Sequence, residues 1–120
     1  MNHHQLCKAI FEIDPKIRYV SVYHENGERI AGGMRFGITS LLHEKLSEDS
    51  IQFSLIRMNT REKLASYIGK CNYVMADYEK VKRVTIPLGD KEFLFVSTDT
   101  EVNHDVIIKQ ILKLCAELER

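Results

Sequence analysis

Net charge is the first thing the chain lacks: across 120 residues, 17 lysines and arginines offset 17 aspartates and glutamates. Proteins that bind a phosphate backbone or an anionic membrane broadly do so with an excess of cations, so those partners are disfavoured and only a local patch stays open. Cysteine is scarce too. Cys7, Cys71 and Cys115 are an odd number, widely spaced and without a CxxC pair, the usage of a reduced cytosolic chain in which each is a small core residue. No apolar run approaches the ~18 residues that a membrane helix needs. The opening "MNHHQLCKAIFEID" carries charges inside its only apolar stretch and so has no signal-peptide core. A soluble, cytoplasmic protein is expected.

Catalytic patterns are missing as well. No GxSxG surrounds a serine, no cysteine has a histidine at dyad spacing, and the acids are scattered among bases, so no pair is marked for acid and base work. The chain reads as a non-enzyme without a cofactor or metal. "GGMRFGIT" follows a strand with Gly32 and Gly37 spaced as in a phosphate loop, but before Thr39 it has Ile38 where that loop needs the lysine that contacts the terminal phosphates. The glycines are therefore expected to make room for a neighbour or a bulge, with Arg35 left as the anion contact to consider. "HEKLS" begins like a zinc-protease helix, yet Ser47 occupies the second histidine's place, which leaves His43 a surface residue. His3 and His4 are expected on a frayed end with at most weak metal affinity. His24 and His104 sit at a turn and a helix start, in solvating or capping roles.

What is present is an ordered alternation of helix and strand signals. A chain of this size buries roughly two thirds of its unfolded surface, enough for one domain spanning 1–120. Leu6, Cys7, Ile10, Phe11 and Ile13 recur at helical spacing until Asp14-Pro15 stops them. "IRYVSVY" is a strand, and Asn26-Gly27 turns it into a second, giving strands near 17–24 and 28–34. Ser47, with Glu48 and Asp49 after it, is the expected cap of a second helix over 47–68, ended by Gly69 and Lys70. That helix carries two apolar stripes. Ile51, Leu55, Met58, Ala65 and Ile68 form one; Phe53, Ile56, Leu64 and Tyr67 form another, which needs a partner of its own. Strands follow at 71–78, 81–88 and 92–98. The unbroken "FLFV" of the last implies helices on both faces of the sheet. Asn103 caps a final helix carrying Ile107, Ile111, Leu114 and Leu118. The expectation is a three-layer α/β fold ordered α-β-β-α-β-β-β-α, with a mostly antiparallel five-stranded sheet between helix layers.

With "VYHENGERIA" as its first hairpin and "GKCNYVMADYEKVKRVTIPLGDKEFLFVST" as the second sheet segment, that order resembles the Roadblock (dynein light chain) family over nearly the whole chain. "IDPKIRYVSVY", "IAGGMR" and "ADYEKVKRVTIPL" are also similar to a family of small archaeal proteins, which implies an archaeal source. The Roadblock resemblance implies a Roadblock/profilin-like fold and a dimer in which strand three pairs with its copy beside the second helix. It further implies a platform or regulator for small Ras-like GTPases. One departure is Asn103-His104-Asp105, where many members have Asn-x-Gly.

The residues argue for the dimer on their own terms. With strands two and three at the sheet edges, "ERIAGGM" is short and glycine-rich, whereas "NYVMADY" has no proline or lysine and leaves backbone groups open beside apolar side chains. Phe53, Ile56, Leu64 and Tyr67, with Asn72, Val74, Ala76 and Tyr78, form the expected self-contact. Arg57, Arg61 and Lys63 with Lys80, Lys82 and Arg83 form two basic groups. They are a solvated face or a docking patch for an acidic GTPase surface. The rival reading is a PAS- or GAF-like small-molecule sensor with Tyr73, Met75 and Phe93 walling a pocket, and a purely structural subunit is the third.

Overall fold

The computed structural model describes residues 1–118. In chain order it contains α1 (His3–Phe11), β1 (Ile17–His24), β2 (Arg29–Met34), α2 (Glu44–Glu62), α3 (Ala65–Ile68), β3 (Val74–Asp77), β4 (Lys82–Leu88), β5 (Glu92–Thr98) and α4 (His104–Leu118). The strands form one sheet in the order β2-β1-β5-β4-β3, antiparallel throughout, with β2 and β3 at its edges as expected.

The layers follow from strand parity. Along β5, Phe93 and Phe95 pack under Ile51, Leu55 and Met58 of α2, while Leu94 and Val96 face the opposite core with Leu6, Ile10, Ile107 and Ile111 of α1 and α4. Successive side chains on a strand point to opposite faces, so a run with no polar position can be stable only where both faces are covered. The pairs Val20 with Val96, Val22 with Leu94, and Ile86 with Leu94 continue the α1/α4 core across β1 and β4. Cys7 and Cys115 are buried there, and burial pushes the Cys7 thiol up to about 11, a filler rather than a nucleophile.

Helix ends depart from the sequence reading in three places. Asn2 and Gln5 close a reciprocal capping box, at 2.8 and 2.9 Å, so α1 starts at His3 instead of fraying. His3 Nε2 lies 2.7 Å from Glu92 Oε1. The second helix begins a turn earlier than Ser47, because His43 Nδ1 accepts the Leu46 N–H at 3.1 Å and supplies the cap. Its far end breaks. Lys63 and Leu64 bond back to Thr60 and Arg61, three residues away, which tightens the backbone and re-aims the last turn as α3. Ile68, expected on the sheet-facing stripe, is consequently 79% exposed. Asn103 does cap α4, its Oδ1 accepting the Val106 N–H at 3.3 Å.

Of the glycine pair after β1, Gly32 makes room, whereas a Cβ on Gly33 would meet only the Arg29 side chain at 3.6 Å. Gly32 has φ +88°, and a Cβ there would sit 2.0 Å from the Val20 carbonyl oxygen and 2.8 Å from Ser21 Cα, both backbone atoms that cannot move aside. Arg35 holds chain rather than a ligand. Its Nε donates to Ile17 O at 2.6 Å, its Nη2 donates to Phe11 O at 2.6 Å and Asp14 O at 2.8 Å, and the guanidinium lies 4.9 Å from the Phe11 ring centre. Three carbonyls that end α1 and start β1 are thus satisfied by one side chain.

Gly32→Ala is expected to lower stability by more than about 3 kcal/mol through backbone collision, measured by urea unfolding. Arg35→Ala should lose about 2–4 kcal/mol, and Arg35→Lys should restore less than half, because a single ammonium cannot span the three carbonyls. Equal stability of Arg35→Lys and the parent chain would remove the staple from the account.

Candidate interaction surface

α2 covers the sheet with Ile51, Ser54, Leu55 and Met58 and turns a second apolar stripe outward. Phe53 is 60% exposed, Ile56 61% and, on α3, Tyr67 86%, with Leu64 exposed between them. Four large apolar side chains open to water on α2 and the turn that follows it form the pattern of a contact surface, not of scattered surface residues.

The free edge of β3 is shorter than the sequence indicated. Pairing with β4 runs only from Val74 opposite Thr85 to Asp77 opposite Lys82, so Asn72 and Tyr78 flank the strand instead of belonging to it. Val74 and Ala76 are half-buried on the α2 side, and Val74 packs against the α2 core. Met75 lies opposite Val84 and therefore on the other face. That parity dissolves the expected ligand pocket. Phe93 is buried under α2, Met75 projects from the opposite face, and Tyr73 is exposed beyond the strand end, so the three share no wall. Surface hollows of about 440 and 340 Å³ lie elsewhere, beside Met1, His3 and Leu118 and between α1 and α4.

The basic residues divide into two kinds. Arg61, Lys63 and Lys80 are surface cations with no ion pair among the described residues. Arg57, Arg83 and Lys82 are engaged within the chain: Arg57 donates to Ser54 Oγ at 3.1 Å, Arg83 to Ser50 Oγ, and Lys82 Nζ reaches His104 Nδ1 at 3.4 Å. The Thr98 hydroxyl donates to Asp99 O at 2.8 Å, and its oxygen lies 3.1 Å from His104 Nε2, so the imidazole sits between the Thr98 hydroxyl and the Lys82 ammonium. Sequence spacing could not have found this coupling, because His104 and Lys82 come from different elements. Among the described residues no group of three His, Cys, Asp or Glu side chains is placed to hold a metal ion, and no helix is long and apolar enough to cross a membrane.

A family model described as a family of unknown function, DUF6659, matches residues 2–120, and the chain belongs to that family. No curated protein sequence matches significantly. Among solved structures, the chain is similar to a Roadblock/LC7 domain from Streptomyces avermitilis, with TM-score 0.74, 10% identity, and 99% of this chain and 96% of that one covered. MglB of Myxococcus xanthus aligns with TM-score 0.74, 15% identity and coverage of 96% and 89%. A profilin from Schizosaccharomyces pombe aligns with TM-score 0.68, 10% identity and coverage of 98% and 97%. The fold is that of Roadblock/LC7 domains and, more broadly, of profilins.

Desolvation first, and the Lys82 charge second, hold the His104 imidazole below its ordinary 6.5. The unfolded chain then takes up the proton at higher pH than the folded one, so this stabilising term is complete above 6.5 and is lost as pH falls through the depressed native value. The urea midpoint should fall on acidification from about pH 7 to about pH 5, and His104→Gln should flatten that slope. Parallel slopes in the two proteins would contradict the assignment.

Proposed function

We propose that this DUF6659 chain is a non-catalytic, cytoplasmic homodimeric adaptor that docks a small Ras-like GTPase or a related signalling complex. The observation that carries the reading is the outward stripe of Phe53, Ile56, Leu64 and Tyr67 on the same side of the sheet as the free β3 edge. An uncovered edge beside an uncovered apolar helix is a liability that a second copy removes, since one two-fold contact hides both. Val74 and Ala76 supply the strand pairing, Asn72 and Tyr78 its flanks.

Geometry restricts the pairing. Residues directly opposite in an antiparallel pair point to one face, and both copies keep α2 on the same face only if the two-fold axis passes between a residue and its own counterpart. Met75 or Ala76, in the middle of the four-residue strand, is that residue. Arg61, Lys63 and Lys80 then stand free for an acidic partner surface, with Arg57 beside them, whereas Lys82 and Arg83 serve contacts within the chain. The resemblance to Roadblock proteins supports a GTPase as that partner.

Light scattering should give twice the 13.9 kDa chain mass, with slow amide exchange at Val74 to Asp77. Ile56→Asp and Tyr67→Glu, on the exposed stripe, should weaken the dimer about 100-fold without unfolding the chain. Monomers at high concentration with fast-exchanging β3 amides would overturn the dimer. Unchanged recovery of co-purifying proteins after Arg61→Glu with Lys63→Glu would overturn the docking patch.

A further inference from the structure

Between α2 and β4 lies a group of hydrogen-bond donors. Ser50 and Ser54 stand one turn apart on α2, roughly 6 Å along the axis. Arg83 of β4 donates to the first hydroxyl, and Arg57 donates to the second at 3.1 Å. Ser54 keeps only 8% of its surface, and Arg83 is half-buried. Each hydroxyl, having accepted from an arginine, still has a proton to give. Thr60 on the same helix gives its own to the Ile56 carbonyl at 3.1 Å, but among the described residues neither Ser50 nor Ser54 has such an acceptor. Nor, among the described residues, does Arg57 or Arg83 form an ion pair; those that do are His3 with Glu92, Arg18 with Asp99 and Lys45 with Asp49. Two guanidinium groups and two hydroxyl protons therefore lie along one stretch of α2, with Ser54 buried, Ser50 and Arg83 half-buried and Arg57 exposed.

We propose that this cluster is an oxyanion site that takes the phosphate group of a small phosphomonoester. A guanidinium presents parallel N–H groups that match two oxygens at once. Two such forks with two hydroxyls exceed what the two oxygens of a carboxylate can accept, and suit the three terminal oxygens of a phosphate. The β3 residue in register with Arg83 is Ala76, whose side chain is a single methyl and adds no acceptor of its own. All four donor side chains belong to one chain, so the site does not require the dimer.

The test is titration with inorganic phosphate and with free phosphoserine, at ionic strength held constant with chloride, followed by backbone amide NMR. Saturable shifts centred on Ser50, Ser54, Arg57 and Arg83 are expected. Arg83→Gln and Ser54→Ala should each weaken binding about tenfold or more, and Arg61→Gln, one turn beyond Arg57 and bonded to neither serine, should leave it unchanged. Tighter binding of phosphoserine than of inorganic phosphate would assign the site to esters; equal binding would assign it to the phosphate group alone. Should Arg83→Gln fail to fold, Arg57→Gln, at an exposed helix position, carries the same expectation. Shifts that grow linearly and equal those from chloride, or unchanged affinity in Arg57→Gln, would overturn the proposal.

Discussion

The double burial of β5 organises the molecule. Phe93 and Phe95 on one face and Leu94 and Val96 on the other exclude water only if helices cover both sides, which places α1 and α4 together and α2 opposite. A buried large side chain is worth roughly 1.5–3 kcal/mol, and four consecutive ones create a demand that no single layer can meet. Antiparallel hairpins then fill the flanks, with β1 and β2 on one side of β5 and β4 and β3 on the other.

That arrangement determines what remains exposed. One helix covers the face that two share on the other side, and α2 has only one flank to give to it. Ile51, Leu55 and Met58 saturate the contact with Phe93 and Phe95, so Phe53 and Ile56, rotated away on the same helix, find no partner inside the chain. Past the break at Lys63 and Leu64, Leu64 and Tyr67 are exposed as well. At the β3 edge the sheet ends in a four-residue strand in which Val74 and Ala76 are half-buried, and no other strand of the described residues pairs with its outer side.

Arginine illustrates how one chemistry takes different roles by placement. Arg35 gives its N–H groups to three backbone carbonyls and stacks near Phe11, which makes it structural. Among the described residues Arg57 and Arg83 bond serine hydroxyls, weaker and uncharged acceptors, and form no ion pair. Arg18 splits the difference, with Asp99 at 3.3 Å and the Thr39 carbonyl at 3.3 Å. Guanidinium count in the sequence is the same in all three cases; the acceptor within reach is what differs.

Local pattern was enough to set the order of elements, the two covered faces and the second stripe of α2. Period-two and helical spacing record which side of an element is apolar, and Asn26-Gly27, Asp14-Pro15 and Asn103 carry their turn and cap chemistry in their own side chains. The sheet edges followed too, since short hairpins leave few ways to arrange five strands. Contacts between distant elements were not legible. His43 replacing Ser47 as the cap, the loss of Ile68 from the buried face, the shortening of β3 and the opposite faces of Met75 and Phe93 each depend on register or on a neighbour remote in sequence. So do the Arg35 staple, the His104 with Lys82 pair and the serine-held arginines. Periodicity says that a residue has a side, but only the packed chain says what lies on it, because hydrogen bonding and desolvation act over distances in space that the linear spacing of residues does not encode.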